Sequence, residues 1–90
     1  MDYIFSGRQV AASRTLLRIS QAELAEQTGV HLSKLKIFEN GTHRGKSYYL
    51  PEKDMQLLAS YFSGRIEFLP DTRRKGLGVR LVKAEQGDGL

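Results

Sequence analysis

Two short helical signals joined by a glycine turn, within residues 20–41, constrain this chain more than any other stretch. Ser20 and Glu23 have the S-x-x-E spacing of a capping box, in which the hydroxyl accepts an early helix amide and the carboxylate reaches back to the cap. A helix start is expected there. Leu24 and Ala25 give that helix a small apolar face, and Gly29, which tolerates positive φ, predicts its end just before the apolar Val30. A second helical period follows at once. Leu35 and Phe38 face a core, Ser33, Lys34, Lys36 and Ile37 face elsewhere, and Asn40-Gly41 predicts the stop. One face of the second helix is left to touch something outside the core.

The flanking chain supplies support for this pair. Val10, Ala11, Arg14, Leu17 and Arg18 recur at helical spacing over 7–18, with Ile19 bridging to the next element. Arg14 shares the apolar face of Val10 and Leu17, where an unpaired charge would be expensive; the alternative is that its long stem carries the charge out to solvent. Residues 41–50 show no period and read as a polar surface loop. Pro51 at a first-turn position, Glu52 and Asp54 near a helix start, and Met55, Leu58, Ala59 and Phe62 at i, i+3, i+4, i+7 predict a further helix ending at Gly64. The period then changes to two: Ile66 and Phe68 alternate with Arg65 and Glu67, and Val79 and Leu81 flank Arg80. With the turn-rich 70–76 stretch between them, including Arg73, Arg74 and Lys75, these runs predict a β-hairpin lying on the last helix. The expected organisation is mainly α: four helices within 1–64, a hairpin extension over 65–83 and a frayed tail over 84–90.

Composition narrows the function classes. Ninety residues allow one modest core, and no second, catalytic domain is expected. The 14 basic and 10 acidic residues give a formal charge of +4, which suits a polyanionic partner. The excess is local: between Gly29 and Leu50 stand Lys34, Lys36, Arg44 and Lys46 against Glu39 alone, with His31 and His43 as further basic groups. The absence of cysteine removes disulfides, thiolate metal sites and thiol nucleophiles, and fits a reducing cytoplasm. No stretch approaches the ~18 apolar residues of a membrane span, and the start Met-Asp-Tyr-Ile-Phe lacks the order of a secretion signal. His31 and His43 lack metal-ligand spacing, no Ser-His-Asp order is present, and Gly76-Leu77-Gly78 lacks the context of a nucleotide loop. No catalytic residue, metal or cofactor is therefore expected, and no membrane partner.

Ser20-Gln21-Ala22-Glu23-Leu24-Ala25, Gly29-Val30 and Phe38-Glu39-Asn40-Gly41, all in one register, resemble the helix-turn-helix of the Cro and repressor type, also called the XRE family. The resemblance covers residues 7–63. It implies a compact four-helix DNA-binding domain whose second motif helix, 31–40, enters the major groove. Implied base contacts fall on Leu32, Ser33, Lys36 and Ile37. Lys36 is the candidate for guanine, with phosphate binding or plain solvation as its alternatives, and Leu32 and Ile37 suit thymine methyl groups. The alternative for those two is a rotated or covered helix, in which they pack within the fold or at an interface. Implied phosphate contacts fall on Gln21, His31, Lys34, Asn40, Arg44 and Lys46. Gln21 and Asn40 have plainer readings as an exposed helix-start residue and a helix stop, and Arg44 with Lys46 either follows a groove or belongs to a solvated loop. His31 departs from the family pattern, which has Ser or Thr there. The resemblance also implies that Arg14 meets Glu39 in a mostly buried ion pair.

The Gly78-Val79-Arg80-Leu81 ending resembles that of short phage-type and bacterial regulators. The expected function is a sequence-specific transcriptional repressor, cytoplasmic and nucleoid-associated, binding double-stranded operator DNA as a homodimer. Val79 and Leu81 are the expected dimerisation residues, on an edge strand near 77–82 paired across a two-fold axis, with the last helix as the other candidate surface. Alternatives are a DNA-binding antitoxin with a toxin as its protein partner, and an interaction adaptor that keeps the fold without reading DNA.

Overall fold

The first helix begins where Ser6 and Gln9 cap each other: Ser6 N donates to Gln9 Oε1 at 2.8 Å and Gln9 N donates to Ser6 Oγ at 3.1 Å. In the computed structural model, which describes residues 5–69 and 78–82, four helices and two short hairpins follow from such local signals. They are α1 (Gly7–Leu17), α2 (Gln21–Thr28), α3 (Leu32–Asn40), β1 (Thr42–His43), β2 (Lys46–Ser47), α4 (Glu52–Phe62), β3 (Ile66–Leu69) and β4 (Gly78–Leu81). The domain is mainly helical, with a two-stranded antiparallel sheet near its C-terminal end. Residues 70–77 and the expected tail lie outside the described residues.

Each helix boundary has a chemical cause. Arg18 takes a left-handed conformation, and the amides of Arg18 and Ile19 return to the carbonyls of Thr15 and Arg14, closing α1 one residue before the expected end. Ser20 and Glu23 form the reciprocal cap of α2, and Gly29 closes it at φ 87°. His31 precedes α3 as its N-cap but makes no capping bond, since its ring cannot present an oxygen to the first amides. Pro51 stands just outside α4 as its N-cap instead of inside its first turn, with Glu52 and Asp54 in the first turn where acidic groups favour the helix dipole.

The core is built from Val10, Leu24, Val30, Leu35, Phe38, Leu50, Leu58, Phe62 and Ile66, all buried, so every helix contributes. Helix α3 packs against α1 and α2, and α2 also meets α4. Gly7 is the point of closest approach between α1 and the last turn of α3. A Cβ there would fall on the carbonyl oxygen of Phe38, so only a hydrogen fits.

Two expectations change. Residues 41–50 are not an irregular loop: β1 and β2 pair Thr42 with Ser47 and His43 with Lys46, around an Arg44-Gly45 turn with φ of 54° and 79°. Positive φ at both central positions is the type I′ geometry that matches strand twist. The ladder is extended by Tyr48 N donating to Gly41 O at 3.2 Å. Secondly, the C-terminal hairpin, with Ile66 opposite Leu81 and Phe68 opposite Val79, lies chiefly along α1 instead of on the last helix. Gln9 explains this placement, because its Nε2 donates to Leu69 O at 3.1 Å and Gly78 O at 2.9 Å from the start of α1. Contact with α4 is retained through Phe68, whose ring stands edge-on to Phe62 at 5.6 Å and stacks on Phe5 at 4.6 Å.

Candidate functional site

The base of α3 is fixed by one buried carboxylate. Glu39, with its side chain 5% exposed, accepts from Arg14 Nε at 2.8 Å, Arg14 Nη2 at 2.7 Å and Gln21 Nε2 at 3.0 Å. The Arg14 fork meets both carboxylate oxygens, the geometry that suits a guanidinium best. Arg14 Nη1 also donates to Ile19 O at 3.2 Å. Donating to the Glu39 carboxylate holds the guanidinium pKa above its ordinary value, against the opposing cost of burial. One residue of α3 thereby joins α1, the α1–α2 junction and the start of α2.

Gln21 therefore has a structural role at the head of α2. Its amide nitrogen carries two hydrogens and one goes to Glu39, which leaves the second for an outside acceptor. Asn40, the residue after Glu39 and the last of α3, is exposed and its side chain makes only a long 3.4 Å bond to Thr42 O.

The outward face of α3 displays the remaining candidates. Ser33, Lys34 and Lys36 are exposed, as is His31 just before them. Leu32 and Ile37 are half-buried, yet neither is among the side chains packed on the core cluster. Arg44 occupies the tip of the β1–β2 hairpin and Lys46 its return strand, both exposed, and neither side chain makes a hydrogen bond or ion pair among the described residues.

Lys34 has a second engagement. Its Nζ lies 3.5 Å from Asp54 Oδ2 of α4, while that oxygen is buried without a hydrogen-bond partner. These facts agree once distance is considered: 3.5 Å exceeds the usual 2.7–3.2 Å range of N–H···O bonds, roughly, so this is an ion pair without a formed hydrogen bond. Lys34 is the nearest countercharge of a buried carboxylate as well as a surface cation. Of the expected dimerisation strand, Val79 is half-buried and packed on the core, whereas Leu81 and the following Val82 are 46% and 44% exposed.

Two residues with clear roles escaped the sequence. Gln9, only 3% exposed, joins α1 to the C-terminal hairpin, and Asp54 joins α4 to α3. The Ser6-x-x-Gln9 capping spacing was a legible sign for the local half of the first role; its bonds across 60 and 69 residues of sequence had none. Among the described residues, no three His, Cys, Asp or Glu gather as metal ligands, and no helix is long and apolar enough to cross a membrane. Comparison with family models, curated proteins and solved structures returned no match.

Proposed function

We propose that this chain is a sequence-specific double-stranded DNA-binding regulator of the Cro/repressor type, acting as a homodimeric repressor. The observation that carries the reading is the contrast across α3: its base is tied to α1 and α2 through Glu39, while its N-terminal outward face displays Ser33 and Lys36 beside the half-buried Leu32 and Ile37. A rigid helix with an unpartnered outer face is what major-groove insertion needs. Lys36 and Ser33 supply hydrogen-bond donors to base edges, and Leu32 and Ile37 supply apolar contact to thymine methyl groups. Gln21, His31, Lys34, Asn40, Arg44 and Lys46 hold phosphates around them. Exposed Leu81 and Val82 give the C-terminal hairpin apolar surface for pairing with a second copy. Two copies would meet half-sites about 34–36 Å apart and exclude polymerase by occupancy, in the cytoplasm at the nucleoid.

A second reading, a protein-interaction adaptor, is favoured by the same Leu32 and Ile37, which offer apolar surface outside the core cluster. Selection from random duplexes separates the two. The DNA reading expects an enriched inverted repeat, bound with an affinity whose logarithm falls linearly with log salt, by about 0.9 per phosphate neutralised. Failure to enrich any sequence at low salt would replace it with the adaptor.

A further inference from the structure

Between the start of α1 and the segment after α3 lies an open groove of about 530 Å³, a volume within the usual range for small-molecule sites. Its apolar wall comes from Phe5, Phe38, Tyr48, Tyr49, Leu50 and Met55. Among the described residues, Arg8 is the one charged residue lining it, and no acidic side chain does. Arg8 is exposed and, among the described residues, its side chain has neither a hydrogen bond nor an ion pair. The hydroxyls of Ser6 and Ser47 add polar groups at the margin, whereas the Gln9 amide is already spent on the C-terminal hairpin. Tyr49 is 79% exposed, although a tyrosine ring has much apolar area to bury and its folding neighbours leave it uncovered.

We infer that this groove binds a small amphipathic organic anion of the arylalkyl carboxylate class. The flat ring lies against the aromatic wall, and the carboxylate meets the Arg8 guanidinium, whose planar fork matches it. Charge selects the ligand class: a lone arginine beside apolar walls disfavours a cation and gives a neutral analogue nothing to replace the charged contact. The groove also touches Gly41, which ends α3, and Ser47 in β2, so its occupant contacts both sides of the β1–β2 hairpin. The assignment is independent of whether the protein reads DNA.

The test is an NMR titration of the full chain with 3-phenylpropionate, with 3-phenylpropanol as the uncharged analogue. The acid is expected to shift the amides of Gly7, Arg8, Gly41, Ser47 and Tyr49 with a Kd on the order of 1 mM, and the alcohol to bind at least ~10-fold more weakly. Arg8→Gln should bring the acid down to the alcohol's affinity at an unchanged melting temperature, and Tyr49→Ala should weaken both compounds alike. Equal affinity for acid and alcohol, an Arg8→Gln chain that still prefers the acid, shifts centred elsewhere, or no shift up to about 10 mM would each overturn the assignment.

Discussion

The two ends of α3 are held by opposite kinds of ion pair. At the C-terminal end, Glu39 is nearly inaccessible and accepts three hydrogen bonds of 2.7–3.0 Å from two other elements. Toward the N-terminal end, Lys34 is about half exposed and reaches Asp54 at 3.5 Å with no hydrogen bond formed. Burial makes the first pair hard to break, because either partner left alone would be a charge without water. Partial exposure lets solvent screen the second. One end of the helix is therefore anchored while the other carries side chains able to adjust, a division that suits a helix positioned by its base and used at its tip.

The largest expected effect lies at the anchored end. Arg14→Ala or Glu39→Ala should each destabilise by roughly 3–5 kcal/mol, because the remaining charge is stranded. For a domain of this size, that is a fall in melting temperature of at least ~12 °C. The double variant should lose less than the two single losses combined. The sign of the pH dependence follows from the raised Arg14 pKa: its stabilisation is complete below the unfolded-state value and is lost only as pH rises through the folded one. The deficit of Arg14→Ala should thus stay constant from neutral pH to about 10. Melting at the wild-type temperature by either single variant would break the contrast from its strong side.

A smaller effect is expected at the adjustable end. Lys34→Met strands the buried Asp54 oxygen and should cost about 1–2 kcal/mol, read by denaturant melts. In an Asp54→Asn background the same change should cost no more than ~0.5 kcal/mol, because no buried charge is then left behind. A loss for Lys34→Met as large as that for Glu39→Ala would mean that both ends of α3 are anchored alike.

These two pairs differed in how far they could be read in advance. Arg14 stood on the apolar face of a helix, where a charge is expensive without a partner, and the resemblance implied Glu39 as that partner. Asp54 gave no such sign, since an acidic residue in a first turn is already explained by the helix dipole. The same logic separates the two hairpins. Ile66, Phe68, Val79 and Leu81 alternate because one face is half-buried, so their strands were legible. Residues 42–47 are all exposed and carry no apolar alternation; their pairing depends on the Arg44-Gly45 backbone, a left-handed pair without the usual asparagine or aspartate. The position of the C-terminal hairpin on α1 rests on Gln9, a polar contact that no periodicity encodes.

The smallest effect belongs to the third pair, Arg80 with Glu67, which faces across β3 and β4 in register. Its distances resemble those at Glu39: Arg80 Nη2 donates at 2.9 Å and Nε at 3.1 Å. Both donors meet the same carboxylate oxygen, and the side chains are 62% and 53% exposed. Solvent therefore competes for every group, and removing one partner strands nothing. Arg80→Ala should cost no more than about 0.5 kcal/mol, a shift of roughly 2–4 °C in the melting temperature. The difference should fade in about 1 M salt, where the screening length falls to ~3 Å, comparable to the pair's own separation. A salt-insensitive loss above ~1.5 kcal/mol would show that bond length, more than burial, sets the strength of ion pairs in this fold.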